Sequence, residues 1–281
     1  MSTIRHATIS LSLFALISLS ACQTSPPKND LQFSERTIVF PANLPPQTKP
    51  TPQSHVWDVS DIDISHIDDT RKLVALTFDD APQNMLENLL AVFALFNQEH
   101  PTCTASATVF CNGRLIHNEN RHSLSAAYAM GWELANHAFS HTDLTTLAPQ
   151  EQYREIADTD AILQEIDNKP LHLFRPPFGK IDSERKQSLS TPVINWNIDT
   201  LDWVGKSADE IQTEVLQNLS NGAIVLMHDS NEHTVDAVKA LLPALYERGY
   251  QAVTVSAMAK AHGVALKNGG EYIRIRKNRA N

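Results

Sequence analysis

The sequence predicts an α/β fold, a distorted (β/α)7 TIM-like barrel, and two observations carry that expectation. Short apolar runs rich in Val, Ile, Leu and Phe alternate with amphipathic stretches at helical spacing, which implies parallel strands joined by right-handed crossovers. Polar and metal-binding residues then close the runs in five places: TFDD (77–80), NHAFSH (136–141), RPPFG (175–179), DTLDW (199–203) and LMHD (226–229). An open doubly wound sheet would gather such residues at one switch point. Side chains arriving from many strand ends need a closed or nearly closed ring.

Taken in order, KLVALTF (72–78) reads as a buried strand, followed by a helix over 85–100. In that helix Met85, Leu86, Leu89, Leu90, Phe93 and Phe96 share one face. ATVFC (107–111) is the second strand, and a helix over 123–130 stops at Gly131. WELAN (132–136) is the third strand and 150–166 an amphipathic helix. LHLFR (171–175) and PVINWNI (192–198) are the next two strands, with a short helix near 183–189 between them. Ser207 and Glu210 form a capping box for a helix to about 219. AIVLM (223–227), a helix over 234–248, QAVTV (251–255) and a last helix over 256–261 complete seven strand–helix units.

The catalytic domain so defined spans 55–263. Before it, Arg5, a short apolar run over 11–19 and the ending Leu19-Ser20-Ala21-Cys22 have the shape of a cleaved secretory signal over 1–22, too short to span a bilayer. That ending resembles a bacterial lipoprotein signal, which implies lipidation of Cys22 and attachment to a membrane through acyl chains. Gln23 is not the aspartate that retains lipoproteins at the inner membrane, so in a Gram-negative host the outer membrane facing the periplasm is expected. In any other host the anchor would hold the chain on the outer face of the plasma membrane. Residues 23–54 hold seven of the fifteen prolines and read as an extended tether. Residues 264–281 carry Arg274, Arg276, Lys277 and Arg279 and read as a basic, solvated tail.

At 281 residues and 42% hydrophobic content the chain can bury one substantial core. A net charge of −9 argues against a nucleic-acid partner, because phosphate neutralisation needs clustered cations. A monomer is expected. Cys103 and Cys111 flank a strand that would set them on the order of 20 Å apart, beyond the roughly 7 Å a disulfide tolerates, so they are expected not to pair.

The blocks point to hydrolytic metal chemistry. His137 and His141 are four apart, so one helical turn would present both imidazoles on the same side. One carboxylate added to them makes a three-ligand site with an open position. Asp79 and Asp80 are adjacent, and side chains diverge along an extended strand, so one should bind metal and the other act as a base. Two histidines and a carboxylate also suit a non-haem iron oxygenase, but its usual all-β scaffold conflicts with the alternation seen here.

In order and spacing, the five blocks resemble the motifs of the NodB-homology polysaccharide deacetylases, carbohydrate esterase family 4, over about 73–259. The resemblance implies metal-dependent removal of acetyl groups from an acetylated glycan, most often from N-acetylglucosamine units of a cell-envelope or chitin-like polymer. It implies Asp80, His137 and His141 as ligands of a divalent metal, Zn2+ first, with Co2+ or Ni2+ as alternatives. Asp79 matches the general base, and Arg175 the residue that orients and charge-balances it. His228 matches the general acid and Asp202 its partner. Phe178 would offer a backbone N–H to the oxyanion, and Trp203 and Leu226 match the walls of the acetyl pocket.

Three positions depart from the family pattern. Ala81 stands in place of glycine, where a β-carbon would narrow the approach to Asp79. Ala138 replaces the Ser or Thr after the first histidine, which predicts weaker or differently selective metal binding, and Phe178 replaces a tyrosine. Two other readings stay open: an acetylxylan esterase, or a glycan-binding lipoprotein that keeps the metal site without catalysis. A pure binding module has no need of Asp79, Arg175, Asp202 and His228 together.

Overall fold

The structure, a computed structural model, describes residues 56–276. The expected signal, the expected lipidation position Cys22, the expected tether and the basic residues Lys277 and Arg279 lie outside the described residues. In chain order the elements are β1 (Lys72–Ala81), α1 (Leu86–Glu99), β2 (Thr108–Cys111), α2 (Arg121–Ala129), β3 (Glu133–Asn136) and α3 (Pro149–Asp167). Then follow α4 (Ser183–Ser188), β4 (Val193–Ile194), β5 (Ile198–Asp199), α5 (Ala208–Asn218) and β6 (Ala223–His228). The chain continues through α6 (Glu232–Glu247), β7 (Tyr250–Ala252), α7 (Val255–His262) and β8 (Glu271–Tyr272). Side-chain caps start several helices, and only that at Ser207 was expected from the sequence. Ser207 accepts from the Glu210 N–H, Asn231 from Thr234 and Thr254 from Ala257, each satisfying an otherwise orphaned donor.

All strand pairs are parallel, and β1 is the central stave. One edge of β1 runs beside β6; the other is shared, with β7 beside residues 72–74 and β2 beside residues 77–81. From β2 the wall continues to β3, then through single bridges to Phe174 and Val193, and β5 returns to β6. The result is the distorted barrel expected from the alternation. Strand parity sorts the core into two layers. Leu73 and Ala75 point inward with Phe110, Ile224 and Val253, while Val74, Leu76 and Phe78 point outward onto Leu89, Phe93, Leu241 and Leu245 of α1 and α6. Phe78 stacks on Trp132 with ring centroids 5.8 Å apart, and Phe93 meets the same indole edge-on at 4.6 Å.

Three expectations need correction. LHLFR is not a strand; Phe174 alone bridges both neighbours, because Pro170 and Pro176 flank too short a segment for a ladder. PVINWNI splits into β4 and β5, since it pairs with β8 at its start and with β6 at its end.

The third correction concerns the C-terminal segment, which is not a free tail over its described part. β8 lies parallel to β4, Ile275 is fully buried, and the Ile275 N–H donates to the Gly222 carbonyl at 2.8 Å. This segment runs from β4 to the start of β6, where Arg274 bridges Ala223. Gly222 permits the approach: its φ is +83°, and a β-carbon there would sit 1.9 Å from the Ile275 oxygen. Cys103 and Cys111 are both buried and unpaired. No helix among the described residues is long and apolar enough to cross a membrane.

Candidate active site

The carboxyl ends of β1, β3 and β6 and the loops after Phe174 and β5 bring the five blocks to one rim. β1 delivers the two aspartates. The sequence reading had them diverge, but Asp80 takes a left-handed φ of 61°, which breaks the alternation and turns both carboxylates into one cavity. Asp79 Oδ2 lies 3.6 Å and Asp80 Oδ1 3.8 Å from His137 Nε2. Their surroundings differ sharply. Asp79 Oδ1 is held by Arg175 at 2.5 Å, whereas the buried Asp80 Oδ1 has no hydrogen-bond partner.

The two histidines follow β3 in a bend, not in the helical turn expected from their spacing. Left-handed φ values at Ala138 (64°) and His141 (60°) bring the imidazoles together, ring centroids 5.1 Å apart. His137 Nδ1 donates to the Arg175 carbonyl at 2.8 Å, which fixes the tautomer and leaves the Nε2 lone pair facing Asp80. Burial holds the His137 pKa below the ordinary imidazole value, against the pull of Asp79 and Asp80, so the ring is neutral and able to ligate.

His141 Nε2 is 3.4 Å from Asp80 Oδ1, and one ligand atom from each of Asp80, His137 and His141 lies within 4.8 Å of the others. Metal–ligand bonds of roughly 2.0–2.1 Å would space tetrahedral donors about 3.4 Å apart. A divalent cation therefore fits these residues, and it would satisfy the orphaned Asp80 oxygen.

Arg175 is fully buried and braces the site. Nη1 donates to Asp79 and to Thr77 Oγ1 (2.8 Å), and Nε donates to the Ile194 carbonyl (2.8 Å). The guanidinium also lies 3.9 Å from the Phe110 ring centroid. Burial works against its charge and the Asp79 carboxylate counters that.

On β6, His228 stands in register with Asp79 of β1, so the two side chains share one rim. Asp202, in the turn after β5, accepts from His228 Nδ1 and from the His228 N–H, both at 2.8 Å, and Thr234 Oγ1 steadies its second oxygen at 2.7 Å. Burial alone would depress the His228 pKa. The Asp202 hydrogen bond and the charges of Asp79, Asp202 and Asp80 outweigh it and raise the value to about 9.

The other expected residues are placed differently from one another. Phe178 (φ 59°) is 58% exposed, with its ring 4.7 Å from that of His141. Trp203 is 61% exposed in the turn that carries Asp202, while Leu226 is buried on β6 two residues before His228. Ala81 packs into the outer core with Phe78 and Leu86, so its β-carbon does not narrow the approach to Asp79. Sequence reasoning gave no role to Thr77, although TFDD contains it, nor to Thr234, whose contact with Asp202 crosses 32 residues. Asp229 also escaped it. This buried carboxyl accepts from the Gln83 N–H at 2.8 Å, and burial pushes its pKa up to about 7.

Fold and site together define a class of protein: an α/β barrel whose rim sets an Asp–His–His group able to hold a dication against an arginine-gripped carboxylate and a carboxylate-paired imidazole. A family model described as polysaccharide deacetylase matches residues 66–191, ending before Asp202 and His228. A peptidoglycan-N-acetylglucosamine deacetylase of Bacillus cereus is 30% identical over 195 residues, covering 66% of this chain and 67% of the relative. The chain belongs to the polysaccharide deacetylase family. The peptidoglycan-N-acetylmuramic acid deacetylase PdaC of Bacillus subtilis is 31% identical over 68% of this chain, which spans 39% of that relative's length. Among solved structures, a family 4 acetyl xylan esterase from Clostridium thermocellum in complex with a cobalt ion superposes with a TM-score of 0.67. It is 26% identical, and the match covers 73% of this chain and 99% of the other.

Proposed function

We propose that this chain is a metal-dependent deacetylase of an acetylated glycan in the cell envelope, acting on the amide of N-acetylglucosamine-type units. The observation that supports this best is the convergence, on one rim, of the Asp80–His137–His141 cradle with Asp79 and His228, which stand in register on adjacent strands. A dication held there, Zn2+ in the first instance and Co2+ or Ni2+ as alternatives, would polarise the acetyl carbonyl and acidify the attacking water. Asp79 has one oxygen gripped by Arg175 and the other turned toward the cradle, where it takes the water's proton. His228, kept cationic by Asp202, protonates the departing amine, which cannot leave as an anion. Arg175 orients Asp79. The Phe178 backbone N–H assists the oxyanion, and Trp203 and Leu226 border the acetyl methyl.

Lipidation at Cys22 would tether the domain to a membrane, placing the site within reach of wall polymer; names of relatives that act on peptidoglycan support the same address. The test is acetate release from peptidoglycan, chitin oligomers, poly-N-acetylglucosamine and acetylated xylan, with Zn2+, Co2+ or Ni2+ supplied. Chelation is expected to abolish turnover and any of the three ions to restore it. Preference for xylan would favour the esterase reading. No release from any substrate with any ion would leave only the binding-module reading.

The His228 pair predicts a pH profile. Its folded-state pKa lies above the ordinary imidazole value, so the acid form is present at neutral pH and lost as pH rises through about 9. A bound dication offsets part of the Asp79 and Asp80 charge, so the alkaline limb of kcat in the loaded enzyme should fall at or below that pH. Asp202→Asn should move the limb down by at least about one unit and lower kcat/KM on the order of 10²-fold. A limb that stays in place would show that another group donates the proton.

A further inference from the structure

The loop that carries both histidines is held by the helix behind it, and the contacts are carboxylate to backbone. Residues 137–141 contain two left-handed non-glycine positions, Ala138 and His141, a conformation that L side chains disfavour. Something must keep the loop in that shape, and Ala138 has no hydroxyl with which to do it. Its methyl instead packs against Leu144, Phe174 and Val193.

From α3, Glu155 Oε2 accepts the Phe139 N–H at 3.0 Å and the Ser140 N–H at 2.7 Å, while Oε1 accepts Ser140 Oγ at 2.7 Å. One turn further along, Asp160 Oδ1 accepts from Asn136 Nδ2 at 2.8 Å. Asn136 Oδ1 in turn accepts the Ala138 N–H at 2.9 Å, closing a ring around the backbone of His137.

Asp160 is itself fixed from behind. His172, fully enclosed, lies with Nδ1 2.9 Å from Asp160 Oδ1 and Nε2 3.3 Å from Asp167 Oδ1, so both ring nitrogens face carboxylates of α3. From the opposite side, the N–H groups of Gly113 and Arg114 donate to the Ala138 and Phe139 carbonyls at 3.1 and 2.8 Å. The Phe139 and Ser140 donors thus go to α3, the His137 N–H goes to the Cys111 carbonyl of β2, and the Ala138 and Phe139 carbonyls accept from the turn after β2.

We propose that Glu155, Asp160 and His172 are positioning residues for the dication: they hold the His137–His141 loop in the one shape that aims both imidazoles at Asp80, and so set metal affinity without touching substrate. The inference rests on the reading of Asp80, His137 and His141 as a cation site. Residues that orient metal ligands typically contribute 10–100-fold to affinity. The clamp also offsets the missing hydroxyl at Ala138, so the wild-type chain should bind Zn2+ tightly.

The test is titration of the full chain with Zn2+ and with Co2+, followed by calorimetry and by the visible absorption of bound Co2+. Glu155→Ala and Asp160→Asn are expected to weaken binding about 10–100-fold and to change the Co2+ absorption. Glu155→Gln, which keeps an accepting oxygen, should recover part of the loss, and KM for the glycan at saturating metal should not move. Glu155 is the deciding position. It lies at the partly exposed edge of the loop, so its variants report even if Asp160→Asn fails to fold.

Variants that bind both ions as wild type does, whether or not they melt earlier, would overturn the proposal, as would a raised KM at saturating metal with unchanged affinity. A wild-type chain that binds neither ion would remove the cation site itself, an outcome distinct from equal binding by all.

Discussion

Asp79→Asn is expected to lower kcat by about 10³-fold or more while leaving dication affinity within a few-fold of wild type. The asymmetry follows from where the two aspartates sit. Asp80 offers the cradle an oxygen with no other partner, so the cation depends on it. Asp79 has one oxygen committed to Arg175 and directs the other at the space beside His137 Nε2. An amide there still accepts the Arg175 hydrogen bond, so the fold persists at some loss of stability from the uncompensated guanidinium, but it cannot take a proton. Acetate release under saturating metal measures the first effect and calorimetric titration the second. Unchanged turnover would show that the base is elsewhere, and lost metal binding with the same variant would make Asp79 a ligand.

How much of this was legible in the chain depended on range. The five polar blocks could be read because each is a few residues long and closes an apolar run, and the structure brings all five to one rim. Most strand and helix positions were legible for the same local reason, LHLFR, PVINWNI and β8 being the exceptions. What failed was decided by backbone conformation or by distant partners.

Along an ideal extended strand Asp79 and Asp80 diverge, yet a left-handed Asp80 makes them converge, and nothing in TFDD signals that φ. The helical argument for His137 and His141 reached the right neighbours by the wrong route, since a bend aims them. Arg274 and Arg276 made the C-terminal segment read as a solvated tail. Ile273 and Ile275, which alternate with these arginines, were the missed signal, and Ile275 is buried against Gly222. Glu155, Asp160 and His172 looked like ordinary helix and strand residues. The contacts of Glu155 with Phe139 and Ser140, of Asp160 with Asn136 and of His172 with Asp160 exist only once α3 packs behind β3.

Arg175→Met should damage stability and activity together, and a second substitution should separate the two. The guanidinium ties four parts of the barrel: Asp79 and Thr77 on β1, the Ile194 carbonyl on β4, Phe110 on β2 and its own segment after Phe174. Removing it leaves the Asp79 carboxylate buried without its partner. Breaking a buried pair in this way costs about 3–5 kcal/mol. For a domain of this size that is a fall in Tm of roughly 6–20 °C. Asp79 also loses the contact that aims it, so kcat should fall on the order of 10²-fold even in the molecules that remain folded.

If the stability loss comes from the stranded charge, Asp79→Leu combined with Arg175→Met should regain most of the Tm, because an apolar pair of similar volume no longer needs a counter-ion. Turnover should stay at the background level, because the base is gone. Thermal unfolding of the two single variants and the double variant measures the coupling directly. A double variant no more stable than Arg175→Met alone would mean that the hydrogen bonds to Thr77 and Ile194 brace the barrel. Arg175 would then be a strut of the fold first and a partner of Asp79 second.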